Sequence, residues 1–145
     1  MYNFIVNFHS ILRWALVVLF IITIVYAFYG KSRNLAFVKT GKLAFATLNI
    51  LHIQFLIGLI LYFISPKVIF SGMAMKTHLT RFFLVEHITA MLIGVAIVTI
   101  GYSAAKKALT DEKKYGKLLI FYIIGFLIIL AAVPWPFYNL GTGWL

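Results

Sequence analysis

The sequence predicts an all-α integral membrane protein, a four-helix bundle that forms a single transmembrane domain over residues 1–145. Two observations predict this class. Of the 145 residues, 63% are hydrophobic and only 11% are charged, a composition typical of membrane proteins rather than of soluble domains. The apolar residues also gather in four runs, each close to the roughly 20 residues that a helix needs to cross a bilayer core.

The four runs cover roughly residues 4–29, 43–64, 79–105 and 117–133. A basic connector, residues 30–42, follows the first run. Ser65-Pro66 ends the second run, because proline lacks the amide that the helical hydrogen-bond ladder needs. A second basic turn, residues 106–117, joins the third and fourth runs, and Pro134-Trp135-Pro136 ends the fourth. No stretch remains for a soluble domain.

Lysine and arginine are distributed unevenly over the connectors. The first and third connectors are rich in them, whereas the middle connector holds only Lys67, Lys76 and Arg81 and both ends hold none. The positive-inside rule therefore predicts cytoplasmic first and third connectors and both termini on the outer, periplasmic side of a bacterial inner membrane. Despite a net charge of +10, this pattern predicts the lipid bilayer as a partner and excludes nucleic acid.

Ionisable side chains within the apolar runs are the candidates for function. Such groups are costly at membrane depth and usually face a bundle interior. His9 and Arg13 lie in the first run, His52 in the second, and Glu86 and His87 in the third. At 1.5 Å per residue, His52, His87 and His9 lie roughly 18, 12 and 8 Å below the outer ends of their helices. We therefore expect the three histidines to converge in the outer half of the bilayer.

Two histidines on facing helices at similar depth are what a b-type haem requires, since each imidazole supplies one axial nitrogen. We expect His52 and His87 to ligate the haem iron, with His9 as the alternative partner of His87. Arg13 and Arg81 lie near the outer face, where a guanidinium would pair with a haem propionate.

Glu86 has two possible roles. An interhelical salt bridge to Arg13 or Arg81 is favoured, and proton relay to a quinone head group is the alternative.

The scarcity of some residue types excludes several classes of chemistry. The absence of cysteine excludes iron–sulfur clusters, covalently attached haem and thiol nucleophiles. Only three acidic residues are present, so hydrolase and carboxylate–metal chemistry are not expected.

Three segments carry a resemblance to a known group of proteins: HSILRW in the first run, HIQFLIGLILYF in the second and RFFLVEHITAMLIG in the third. Together they resemble small four-helix, cytochrome b-like membrane proteins of the Bacteroidetes type. The Glu86-His87 pair is also similar to haem-bearing helices of haem A synthase and of succinate dehydrogenase anchors, although Ile88 stands where those helices carry arginine. The resemblance implies a b-type haem held by His52 and His87, with His9 as a further candidate, and electron exchange with quinones or a respiratory complex.

Two functions follow from these observations. The first is a haem-b-binding electron-transfer protein or respiratory-complex subunit. The alternative is a non-catalytic accessory subunit of a larger respiratory or secretion assembly, without a cofactor. A single redox centre in 145 residues leaves little room for substrate chemistry, so a stand-alone enzyme is not expected.

Overall fold

A computed structural model describes all 145 residues of the protein. Four long helices account for most of the chain: α1 (Tyr2–Ser32), α2 (Val38–Ile64), α3 (His78–Lys107) and α4 (Asp111–Ala132). Short 3₁₀ turns occupy Gly72–Lys76 and Pro136–Tyr138, and there are no strands. All four long helices are long and apolar enough to cross a membrane. The predicted all-α, four-helix membrane class is therefore confirmed.

The helices extend beyond the predicted apolar runs, mostly into the basic connectors. Helix α4 begins at Asp111 instead of residue 117, and α2 begins at Val38 instead of residue 43. The Thr110 side chain caps α4 by accepting a hydrogen bond from the Lys113 amide at 3.3 Å, and acidic residues in the first turn favour a helix N-terminus. Hydropathy marks the part of a helix inside the bilayer, whereas capping decides where its hydrogen bonding ends.

The helices form a ring in which α1 and α3 each pack against both α2 and α4. Both chain termini and the α2–α3 connector lie at one end, which we call the site end. There the hydroxyl groups of Tyr2 and Ser65 are 3.1 Å apart, and Lys67 Nζ donates to the Gly141 carbonyl at 2.9 Å. The α1–α2 and α3–α4 connectors, which carry most of the lysines, lie at the opposite, basic end. Both termini were predicted to share one side of the membrane, and they do share one end of the bundle.

Aromatic and hydroxyl side chains fill the middle of the bundle. The fully buried Phe20 ring packs between Tyr122 and Phe126, with centroid separations of 5.8 and 4.9 Å. Nearer the basic end, the hydroxyl groups of Thr23 and Thr47 form a buried hydrogen bond of 2.7 Å between α1 and α2. Phe20 and Phe126 in this packed layer also line a cavity on the site-end side.

Helices α3 and α4 approach each other most closely, at glycines. A side chain on Gly94 would place its Cβ 2.7 Å from Ile129 Cγ1, and one on Gly125 would place its Cβ 3.3 Å from the Gly94 carbonyl oxygen. At Gly101 a Cβ would overlap the Cβ of Phe121. Close backbone approach at small residues is the usual way for helices to pack within a membrane.

Candidate functional site

A cavity of about 270 Å³ lies between the helices at the site end. Its floor is formed by Phe20 and Phe126, and all four helices and the tail, residues 134–145, contribute to its wall. No acidic residue lines it. The polar side chains that do are Tyr2, His9, Ser10, Arg13, Gln54, Tyr62, Ser65, Lys67, His87 and Thr142.

His87 reaches the cavity from α3 in a defined orientation. Its Nδ1 lies 2.7 Å from the carbonyl oxygen of Ala132, the last residue of α4. A carbonyl only accepts hydrogen bonds, so Nδ1 carries the proton and Nε2 keeps its lone pair. No protein group is hydrogen-bonded to Nε2. A neutral imidazole anchored through one N–H to a backbone carbonyl is the usual arrangement of a metal-ligating histidine.

A π-helical segment, Phe82–Glu86, immediately precedes His87. A π-helical turn contains an extra residue, so it changes which face of the helix the following residues occupy. The Leu84 carbonyl within this segment accepts a hydrogen bond of 3.0 Å from the Tyr62 hydroxyl of α2. The segment therefore sets the direction of His87 relative to the start of α3, and α2 supports it.

His9 enters the cavity wall from α1 and packs over Gly58 of α2. A Cβ at Gly58 would lie 3.1 Å from His9 Cε1, so any larger residue would crowd the ring. Gln54 Nε2 donates to the His9 carbonyl at 3.0 Å and approaches the ring Nε2 at 3.4 Å. His9 Nδ1 and Gln54 Oε1 are buried without any partner. Unpaired buried polar atoms are uncommon, and both of these belong to residues that line the cavity.

Two cations lie at the cavity without an anionic partner. Arg13 Nη2 donates to the Trp144 carbonyl at 2.7 Å, while its buried Nε has no partner. The only salt bridge in the protein joins Arg81 to Glu86, so neither Arg13 nor Lys67 is paired with a carboxylate. Partial burial lowers the pKa of the Lys67 ammonium. The cavity therefore combines unsatisfied donors and positive charge with a free imidazole lone pair.

His52, the preferred partner of His87 in the sequence analysis, does not line this cavity. Its Nε2 lies 3.0 Å from the Thr99 hydroxyl, which donates to the Val95 carbonyl at 2.7 Å. Thr99 follows His87 by 12 residues (99 − 87), which is roughly 18 Å along the helix. His52 and His87 therefore lie too far apart to share one metal ion, whereas His9 and His87 both line the cavity.

The sequence predicted similar depths for His52 and His87, and the structure differs because the site-end termini of α2 and α3 are not level. The Tyr62–Leu84 hydrogen bond places the last turn of α2 beside the π-helical segment of α3. The first turns of α3 therefore extend outward beyond the end of α2. Counting inward from each helix end places His52 and His87 at similar depths. Relative to the level that Tyr62 and Leu84 share, however, His52 lies about 15 Å deeper, whereas His87 follows Leu84 by only three residues (87 − 84).

Two further predicted site residues, Arg81 and Glu86, form a salt bridge of 2.7 Å at the surface, outside the cavity lining. Both belong to α3, so the bridge is within one helix and not between helices as predicted. Lys67 lines the cavity, whereas Arg81 does not. The sequence indicates Lys67 only as a connector charge directly after the helix-ending Pro66. Gln54, a polar residue within an apolar run, could be expected to orient an imidazole, but only packing shows that the imidazole is that of His9. Gly58 carried no signal, because its role depends on the packing of His9 over it.

The tail covers the mouth of the cavity. The Trp144 carbonyl accepts hydrogen bonds of 2.7 Å from both Arg13 Nη2 and Trp14 Nε1. Leu140 is fully buried, and Leu145 contributes to the cavity lining. Together with the bond from Lys67 to Gly141, these contacts hold the tail across the opening.

Removal of residues 141–145 is therefore expected to open the cavity to water. The chain contains no cysteine, so a Ser10→Cys variant carries one thiol, at a position that is 9% exposed in the cavity wall. Loss of three hydrogen bonds worth about 1 kcal/mol each should accelerate labelling of this thiol by a charged methanethiosulfonate at least roughly tenfold. Met73→Cys, in an exposed turn, should react equally in both backgrounds. Equal Ser10→Cys rates would show that the tail does not close the cavity.

Comparison with protein-family models, with curated proteins and with solved structures finds no match for this chain.

Proposed function

We propose that the protein is a membrane electron-transfer protein that binds haem b in the site-end cavity, where His87 and His9 would hold the iron. The observation that carries the proposal is a cavity without Asp or Glu in its lining, to which the unbonded Nε2 of His87, the imidazole of His9 and two cations without a salt bridge all contribute. When bound, haem b supplies a one-electron iron couple.

The residues around the cavity fit the two kinds of group that a haem presents. For the iron, the Ala132 carbonyl orients the His87 ring and increases the basicity of Nε2. His9 is held at Nε2 only by a long contact of 3.4 Å to Gln54, so its ring can exchange that contact for a metal. For the two propionates, Arg13 and Lys67 provide one unpaired cation each.

Binding of haem in this cavity would require the tail to move. A cavity of about 270 Å³ lies just below the roughly 300–1,000 Å³ of sites that enclose drug-sized ligands. Seating a porphyrin therefore requires residues 141–145 to move outward. That movement would release Arg13 Nη2 from the Trp144 carbonyl, so that the guanidinium could face a carboxylate.

The test is an absorption spectrum of protein purified from cells that are supplied with haem, recorded before and after reduction with dithionite. We expect a Soret band, sharpened α and β bands on reduction, and one haem per chain by the pyridine haemochrome method. A preparation that is folded by circular dichroism and has no Soret band would overturn the proposal.

A second candidate is a cofactor-free accessory subunit of a larger membrane assembly. It is favoured by the hydrogen bonds of His52 to Thr99 and of His87 to Ala132, since polar side chains that link helices also stabilise bundles without a cofactor. Under this function the protein migrates as a large assembly on a native gel and carries no chromophore of its own.

A further inference from the structure

A second pocket, of about 240 Å³, lies at the basic end of the bundle, far from the haem cavity proposed above. Three lysines from three helices line it: Lys42 of α2, Lys106 of α3 and Lys114 of α4. Lys114 is half-buried, and the other two are exposed. Residues distant in sequence therefore bring three positive charges to one concave site.

No anion within the protein balances these charges. Asp111 and Glu112, the only acidic residues near this end, are exposed in the first turn of α4 and form no salt bridge. Like charges that share a site disfavour one another. An anion held among the three ammonium groups would remove this repulsion and gain charge-assisted hydrogen bonds.

Three aromatic residues, Phe37, Phe45 and Tyr102, make up most of the remaining lining. The rings of Phe45 on α2 and Tyr102 on α3 pack at a centroid separation of 5.6 Å, and Phe45 is 49% exposed on the outside of the bundle. On the other side, Lys114 Nζ lies 5.9 Å from the centroid of the Phe37 ring. The site thus joins a cationic centre to an apolar wall that continues onto the lipid-facing surface between α2 and α3.

We propose that this pocket binds an anionic phospholipid, with its phosphate among Lys42, Lys106 and Lys114 and an acyl chain against Phe45 and Tyr102. A membrane lipid is the anion that joins a phosphate to an apolar chain at the edge of a bilayer. Basic pockets between transmembrane helices bind such head groups in other membrane proteins. This site is independent of the haem proposal and goes beyond it.

The chain provides closely matched controls for a test. Lys107 and Lys113 adjoin Lys106 and Lys114 but do not line the pocket, and neither does Lys39. A pocket triple variant (K42Q, K106Q and K114Q) and a control triple variant (K39Q, K107Q and K113Q) therefore lose equal charge from the same end of the bundle. Each would be delipidated in detergent and titrated with phosphatidylglycerol, phosphatidylcholine or inorganic phosphate, and bound ligand would be counted by native mass spectrometry.

We expect delipidated wild type to bind one phosphatidylglycerol, the pocket variant to bind it at least roughly tenfold more weakly, and the affinity of the control variant to change less than about threefold. A triple Lys→Arg pocket variant should retain binding, and circular dichroism should show equal helicity throughout. Equal losses of lipid affinity in both glutamine variants would show that the lipid is attracted by the basic end as a whole and not by this pocket. Equal binding of phosphatidylcholine, or binding of inorganic phosphate without preference for the lipid, would also overturn the proposal.

Discussion

Replacement of His87 with alanine is expected to abolish the Soret absorbance of protein purified from haem-supplied cells, whereas replacement of His52 is expected to leave it. His87 offers an unbonded Nε2 in the cavity wall, while His52 binds Thr99 at a level about 18 Å away along α3. The measurement is the reduced-minus-oxidised spectrum, normalised to protein.

Further variants separate ligation from folding. His9→Ala should leave a weakly held haem with a high-spin spectrum, because His87, the ligand that the Ala132 carbonyl orients, remains. Added imidazole should restore absorbance to His87→Gly, because it can occupy the space of the missing ring. A His87→Ala protein that keeps its full, low-spin spectrum would contradict the assignment. Loss of absorbance in His52→Ala with unchanged helicity would instead favour the pairing first expected from sequence.

Substitution of Gly101 by alanine is expected to destabilise the bundle strongly. The added Cβ would overlap the Cβ of Phe121 on α4, an atom attached directly to the backbone, so no rotamer change can relieve the clash. The two helices must separate, which also loosens the contacts at Gly94 and Gly125. Overpacking of this kind costs roughly 1–3 kcal/mol, and the valine variant should cost more.

The measurement is the midpoint of unfolding in a mixed detergent titration followed by circular dichroism. Gly116→Ala is the matched control, because a Cβ at Gly116 has no atom within 4 Å on other parts of the chain. That substitution should leave the midpoint unchanged or raise it slightly, since alanine favours helix more than glycine does. If Gly101→Ala unfolds at the same midpoint as Gly116→Ala, the close approach of α3 and α4 contributes nothing to stability.

Much of the architecture was predictable from local properties of the sequence. The length and hydropathy of each run depend only on nearby residues, so four membrane-spanning helices followed directly. The helix-ending proline after Ser65 and the basic connectors also indicated which parts of the chain share an end. The helix ends were predicted less accurately, because capping by residues such as Thr110 extends the helices beyond their apolar segments.

The sequence by itself determined the candidate functional residues, because an ionisable side chain within an apolar run is unusual wherever it packs. His9, Arg13 and His87 were identified in this way, and they line one cavity. Only the tertiary structure decided which of the candidates meet. Whether His52 lies level with His87 depends on the axial offset between α2 and α3, and the direction of His87 follows a π-helical segment supported by Tyr62. Both are set by packing between distant segments, and neither hydropathy nor spacing within one helix contains that information.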